Sequence, residues 1–268
     1  MSRYYTAFLA VAVLGFALVW RTTAPPVHSQ WLTLFLALFL QAAPLVLLGH
    51  GLAALPWRWV PRSVPAAAAA GMLLPTCECA SVPVARGLID KGAPPRAAVA
   101  FMLAAPSINP LVLLSTWLAF NDWRIVAARF VCGAAAALII GSFWRRPLDG
   151  HHHTPDILDT LSFVVIGCAA AATLAGIPQP AWPGGIAVAA AMALAILMSV
   201  CSEADAFVAA TLPTSALAQL AFMVIGPLVD IKLIAVHWGT WGPRAALRIV
   251  GASILTVALL MAIASIWI

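Results

Sequence analysis

The stretch PTCECASVP, residues 75 to 83, interrupts an apolar run that begins near residue 64 and ends near residue 88. Two cysteines flank a glutamate, and a proline closes each end. A second polar cluster, CSEAD at 201 to 205, interrupts another apolar run in the same way. On insertion scales a carboxylate at the centre of a membrane helix costs roughly 2.5–3.5 kcal/mol. A chain that places two such clusters there is expected to handle something polar or thiophilic inside a membrane.

The composition supports the membrane setting. Of the 268 residues 63% are hydrophobic and only 9% are charged, with mean hydropathy +1.01. Soluble domains carry about 25% charged residues. A soluble globule could not hide that much apolar surface, so the expected fold is an all-α polytopic membrane helix bundle with the lipid bilayer as its solvent. The net charge of +5 needs no nucleic acid to explain it, because basic residues at the ends of spans set topology. Most tryptophans, among them Trp20, Trp31, Trp57, Trp59 and Trp267, fall at segment ends, as in an interfacial aromatic belt. The five cysteines all lie in apolar stretches, which argues against a disulfide scaffold. Cys132 and Cys168 read as small packed hydrophobes. Residues 5 to 20 read as an uncleaved first span, since no good small-residue cleavage pattern follows them.

Spans need about 20 apolar residues. That length picks out segments near 5–20, 31–55, 64–88, 97–119, 124–144, 158–177, 184–211, 214–237 and 246–267. The longest polar stretch, RRPLDGHHHTPD at 145–156, divides them. The halves then align: AVAFMLAAPSINPLVLL (98–114) matches QLAFMVIGPLVDIKLIA (219–235) without a gap. Ala100, Phe101, Met102 and Pro106 meet Ala221, Phe222, Met223 and Pro227, and Asn109 falls opposite Asp230. One residue of gap brings Cys79 opposite Cys201. The expected organisation is a single membrane domain: an extra N-terminal span (1–29), repeat one (30–146), a cytoplasmic loop (147–157) and repeat two (158–268). Internal repeats are common in secondary transporters.

Charge discriminates between topologies. Nine straight spans would divide the basic residues almost evenly between the two faces, against the positive-inside rule. Folding 64–88 and 184–211 back on themselves puts Arg3, Arg58, Arg62, Arg86, Lys91, Arg96, Arg145, Arg146, Arg244 and Arg248 on one face. Only Arg21, Arg124 and Arg129 remain on the other. This favours re-entrant motif segments, inverted repeats, eight or nine hydrophobic segments in all, and a cytoplasmic N-terminus in a bacterial inner membrane. Non-helical backbone at membrane depth requires surrounding protein or a water-filled cavity, which suits a transport site.

The candidate site residues are Cys77, Glu78, Cys79, Asn109, Cys201, Glu203, Asp205 and Asp230. Cys77 and Cys79 cannot share a ligand on a regular helix, where residues two apart point about 200° apart. An unwound stretch frees them, and Pro75 and Pro83 favour unwinding. Thiolates suit soft metal ions, and trivalent arsenic belongs with these by softness; the alternative is two small residues buried in a tight crossing. Cys77 and Cys79 are thus candidate metal ligands. Glu203 and Asp205 sit between apolar runs and are candidates for carrying protons or binding cations, unless they lie near a segment end and reach water. Asp230 and Asn109 are expected in the same cavity. Lys232 is expected either to pair with Asp230 or to snorkel to the interface. Asn109 precedes Pro110, which biases its backbone to an extended form. His151, His152 and His153 read as a solvated loop before a metal-sensing one. There is no GxxxxGK[ST] loop, no HExxH helix and no GxSxG elbow, so an enzyme and a resident cofactor are not expected. A cysteine-nucleophile enzyme ranks last, for want of an intramembrane base beside the cysteines.

The run PTCECASVPVARGLIDKGAPPRAAVAFMLAAPSINP (75–110) resembles the signature of a family of bacterial permeases that includes the ArsP organoarsenical efflux permeases. The matching positions are Pro75, Cys77, Cys79, Pro83, Gly92, Phe101, Pro106, Asn109 and Pro110; CSEADAF (201–207) is similar to the second-half motif. The resemblance extends over nearly all of the chain after about residue 30. It implies an inner-membrane permease. The ArsP branch exports trivalent organoarsenicals by thiol coordination in exchange for protons. This chain departs from that branch at Glu78, where a small residue is usual, and an acid between two thiols fits a divalent metal ion at least as well. Some relatives are described as one subunit of a two-component permease, so the resemblance also implies a second permease subunit as a candidate partner. The expected function is export or movement of a thiophilic metal ion, metalloid or related small solute, coupled to protons. The alternative is a non-transporting subunit or scaffold.

Overall fold

The computed structural model describes residues 25–54, 60–74, 76–148, parts of 161–173, and 186–266. The expected first span at 5–20, Pro75 and the His151–His153 loop lie outside the described residues. Among the described residues the secondary structure is helical, without strands. In chain order the helices are α1 (Pro25–Ala54), α2 (Val64–Leu73), α3 (Glu78–Asp90), α4 (Pro95–Ser107), α5 (Pro110–Phe120) and α6 (Trp123–Phe143). After the central loop come α7 (Ala187–Met198), α8 (Asp205–Thr211), α9 (Ala216–Ile225), α10 (Ile231–Trp241) and α11 (Pro243–Ala264). Four stretches are long and apolar enough to cross a membrane: Trp31–Ala53, Pro95–Phe120, Trp123–Phe143 and Pro243–Ala264. At 1.5 Å per residue each covers about the 30 Å of hydrocarbon.

The segment 64–88 is two helices rather than one. The Ser63 hydroxyl accepts the Ala66 amide to start α2, and Cys77, in extended conformation, precedes α3. The direction of each helix follows from its contacts with α4. Gly71, near the end of α2, lies against Phe101, Ala104 and Ala105, near the end of α4; a Cβ there would fall 2.8 Å from the Phe101 carbonyl oxygen. Only glycine permits that backbone approach. α2 and α4 therefore run parallel. α3 turns into α4 through residues 91–94, where Gly92 adopts φ 91°, so those two run antiparallel. Hence α2 and α3 form a hairpin with its tip at residues 74–77. Thr76 and Cys77 at its closed end are buried, and its open end lies level with the end of α1, where Gly87 packs on Ala53 and the Lys91 ammonium bonds the Ala53 carbonyl.

The segment 184–211 is built alike. Ala195 of α7 and the Asp205 carboxylate both lie 3.9 Å from where a Cβ on Gly226 would sit, just past α9. Gln219 near the start of α9 donates to the Leu212 carbonyl just past α8 at 3.1 Å. α7 is thus parallel to α9 and α8 antiparallel, which makes a second hairpin with its tip at residues 199–204. Ser199 opens that tip in the left-handed conformation, φ 48°.

The segments 97–119 and 214–237, expected as single spans, are each broken near the middle, at 108–109 and at 226–230. Proline is the cause. Pro110 forces Asn109 out of helical geometry (φ −70°, ψ 156°), and Pro227 lies in the turn that ends α9. Asn109 then caps α5 by accepting the Val112 amide at 2.9 Å, and Asp230 caps α10 by accepting the Leu233 amide at 2.6 Å. Each half thus carries a hairpin, a broken helix and a straight helix, in that order. The halves interlock: α3 of the first hairpin packs on α10, α8 of the second packs on α5, and the straight helices α6 and α11 pack together.

Candidate functional site

The two hairpin tips and the two helix breaks meet inside the bundle. Cys77, Glu78 and Cys79 are buried at the first tip, and Cys201, Ser202 and Asp205 at the second. Asn109 and Asp230 are fully buried at the two breaks. Glu203 is half-buried. The chain places carboxylates on the opening turns of α3 and α8 and a third carboxylate as the cap of α10. Each sits where the positive end of a helix dipole favours it.

Side chains from opposite halves join the tips. Ser202 donates to Glu78 Oε2 at 3.1 Å. Lys232, from the opening turn of α10, places its ammonium 3.3 Å from Glu78 Oε1 and 3.6 Å from Asp230 Oδ2. Arg129, from the middle of α6, donates to Asp205 Oδ2 at 2.7 Å, Thr116 Oγ1 at 2.8 Å and the Ser202 carbonyl at 3.3 Å. The carboxylate of each tip is thus matched by a cation from the other half. Cys201 donates its thiol to Glu203 Oε2 at 2.5 Å. All of these residues except Glu203 are buried.

The structure brings Glu78 and Asp230 together through Lys232 and sets Asp205 beside Ser202 of the same tip. It does not join Asn109 to them: the Asn109 side chain is used up by its cap and by a 2.9 Å bond to the Ala105 carbonyl. Cys77 and Cys79 are free thiols. Among the described residues no three His, Cys, Asp or Glu side chains converge as a metal site. Cys132 and Cys168 are buried in the apolar core.

Two sequence expectations need correction. Arg129 was expected at the membrane face as a topology marker, yet its side chain is fully buried. The residue lies seven positions into the 21-residue helix Trp123–Phe143, too deep for its guanidinium to reach the surface while Asp205 offers a partner. The cue was available: a basic residue within an apolar run is as costly there as a carboxylate. The expected want of an intramembrane base beside the cysteines also fails, since Lys232 reaches the first tip. Two carboxylates engage its ammonium, however, so it is not a free base. Lys232 pairs as one of its two expectations held and does not snorkel.

Comparison with known proteins follows the same lines. Residues 58–160 match the family ArsP_1, described as predicted permease. A Bacillus subtilis protein, UPF0718 protein YcgR, is 33% identical over 262 residues, covering 78% of this chain and 88% of that one. The chain belongs to this predicted permease family. A Streptococcus mutans relative, named as a two-component membrane permease complex subunit, is 28% identical over 282 residues, covering 85% of this chain and 92% of that one. No solved structure matches the chain. Family membership supports a transporter rather than an enzyme, and a membrane protein, as the composition requires.

Proposed function

We propose that this permease exports or otherwise moves a thiophilic metal ion, metalloid or related small solute, coupled to protons, past the meeting point of its two hairpin tips. The observation that carries the reading is the meeting of Glu78 with Ser202 and Lys232 at the centre of the bundle. Residues from both halves converge there on a polar, thiol-bearing spot with no other evident purpose. Cys77, Glu78 and Cys79 form one wall. Cys201, Glu203 and Asp205 form the other, and Asn109 and Asp230 shape the helix breaks beside it. The thiols bind the cargo, and the carboxylates give up protons as it arrives.

In this reading residues 30–146 and 158–268 are inverted repeats, with 1–29 as an extra span and 147–157 as a cytoplasmic loop. The hairpins enter a bacterial inner membrane from opposite faces, with the N-terminus in the cytoplasm. At 10 to 13 residues, α2 and α3 reach roughly 15–20 Å, which is mid-bilayer. Alternating access follows if one hairpin withdraws while the other stays seated.

Purified protein in liposomes, loaded with a pH-sensitive dye, tests this. Addition of Cd²⁺ or of a trivalent organoarsenical is expected to drive proton flux, and Glu203→Gln to reduce it. If neither cargo moves protons and Glu203→Gln leaves uptake unchanged, the coupling is wrong. The subunit name of the Streptococcus mutans relative favours a second reading, in which this chain works only with a partner subunit. In that case the purified chain alone is inert, and Cys77→Ser with Cys79→Ser leaves the phenotype of the complex untouched.

A further inference from the structure

Helix α10 carries buried polar atoms that nothing among the described residues satisfies. His237 is 1% exposed, and neither of its ring nitrogens has a hydrogen-bond partner there. Whichever tautomer it adopts, the neutral ring leaves one donor and one acceptor unmet. Trp241 follows four residues on, on the same helix face, buried and with its indole N–H equally unpartnered. Arg86 of α3 sits over that indole, its guanidinium carbon 5.6 Å from the ring centre, and its buried Nη1 also lacks a partner. At the start of α10, Asp230 Oδ2 is in the same condition. The register of the two helices strings these atoms in a line. Lys232 meets Glu78 and Trp241 meets Arg86, so α3 and α10 run parallel and His237 lies level with Val82 and Pro83, past the thiol-bearing tip. At 1.5 Å per residue His237 stands about 6 Å from Trp241 and about 10 Å from Asp230 along the axis. The outer end of the line reaches water, since the Arg86 side chain is 16% exposed and that of its partner Asp90 49%. No described charge acts on the His237 ring. Lys232 and Asp230 stand at the inner end of the line and Arg86 and Asp90 at the outer end, while Arg244 and Arg248 of the neighbouring α11 are exposed.

Buried polar groups without partners are rare in proteins, and ordered water is what commonly meets them. We propose that a file of water enters beside Arg86 and Asp90 at the open end of the first hairpin, runs along α10 past Trp241 and His237, and carries protons to the meeting point of the tips, with His237 as the relay. The proposal rests on the proton coupling of the permease reading and adds its route. The step balances. His237 takes a proton from the water on its outer side at one ring nitrogen and gives the proton on its other nitrogen to the water on its inner side. The ring ends neutral in the opposite tautomer, and its rotation restores the first. Trp241 and Arg86 orient water but pass nothing on, because an indole N–H only donates and a guanidinium keeps its protons. Of the three, only the imidazole can both accept and release a proton.

Two measurements on the full chain test the file and the relay. Hydroxyl radicals made by X-ray radiolysis of water mark buried side chains that touch bound water, and need no cargo. Trp241 is expected to be modified well above Phe101 and Phe222, which are as deeply buried; modification at the level of those two rings overturns the water file. For the relay, wild type, His237→Gln and His237→Ala are reconstituted in liposomes with a pH-sensitive dye and probed with Cd²⁺ and with a trivalent organoarsenical in turn. Both variants are expected to slow proton flux by roughly 10²-fold, the low end of what a positioned proton-transfer group contributes. Exchange of labelled for unlabelled cargo at equal pH, which moves no net protons, is expected to stay at the wild-type rate. Added imidazole is expected to restore proton flux to His237→Ala, and pyrazole, of the same size but far less basic, is not. A His237→Gln protein with wild-type proton flux overturns the relay and leaves the permease reading standing. Equal rescue by pyrazole also overturns it, since filling the gap is then enough. If wild type moves no protons with either cargo, the coupling falls and the relay falls with it.

Discussion

Arg129 and Lys232 are both basic residues sealed inside an apolar bundle, and each faces a carboxylate from the opposite half of the chain. They are held differently. Arg129 spends its guanidinium on Asp205, Thr116 and the Ser202 carbonyl, and so ties α6, α5 and the second hairpin tip together. Lys232 has no such set of fixed acceptors; it balances between Glu78 and Asp230 at 3.3 and 3.6 Å. A planar fork on three acceptors fixes its neighbours in place, and a flexible ammonium between two carboxylates holds its own less firmly. The second tip is therefore the more firmly tied of the two, and the first tip, with its two thiols, the more loosely held.

Removing each cation separates the roles most sharply. Arg129→Met strands Asp205 in a dry interior and frees Thr116 and the Ser202 carbonyl. A loss of about 3–5 kcal/mol is expected, the usual cost of breaking a buried pair from one side. A large fall in thermal unfolding temperature in detergent measures it, and Arg129→Met with Asp205→Asn should recover part of the loss. Lys232→Met should cost less, because Lys232 makes one hydrogen bond, to Glu78 at 3.3 Å, where Arg129 makes three. If Lys232→Met proves the more damaging of the two, the two cations have been ranked the wrong way round.

Much of this arrangement was readable in the residues. The motif segments announce their own interruption, because PTCECASVP places charge and proline, and CSEAD charge, where a straight helix would need apolar side chains. Pro110 announces the extended backbone at Asn109, and it is there; the two helix breaks and their caps go unread, since both segments pass for single spans. What could not be read is which charges meet. Glu78 and Ser202 are 124 positions apart, and Glu78 and Lys232 are 154 apart. No local periodicity links such residues; only the crossing of α3 over α10 does. Arg129 escaped for a different reason. Basic residues in a membrane chain usually mark its faces, and that habit hid the one arginine whose neighbours in sequence are all apolar for a turn on either side, from Ile125 to Gly133 but for itself.

The joint between the tips comes next in size. Ser202 is the only described side chain of the second tip that donates directly to the first, and its partner is a buried carboxylate. Hydrogen bonds to charged groups are worth about 1.5–3 kcal/mol. Ser202→Ala should destabilise the closed form by that order while leaving the Arg129–Asp205 pair intact, because Arg129 uses the Ser202 carbonyl and not its hydroxyl. The expected signature is faster labelling of Cys79 by a membrane-permeant thiol reagent, with little change in unfolding temperature. A drop in unfolding temperature as large as that of Arg129→Met, without faster labelling, would make the tips one rigid unit and erase the distinction drawn between them.

The smallest effect lies at the two caps. Asn109 and Asp230 stand at matched positions and do the same backbone work, so Asn109→Ala and Asp230→Ala should each cost about 1 kcal/mol from the lost cap. Their charge differs, and so do their neighbours: Asn109 turns its remaining donor to the Ala105 carbonyl, whereas Asp230 faces Lys232. Asp230→Asn keeps an acceptor for the Leu233 amide and deletes only the charge, so its unfolding temperature should stay near that of wild type. Its effect should appear in the protons moved under the proposed exchange, because Asp230 is one of the two carboxylates that face Lys232. Asn109→Ala should show the opposite profile, a small loss of stability and unchanged proton stoichiometry. If the two variants cannot be told apart by proton flux, Asp230 is no more than a cap.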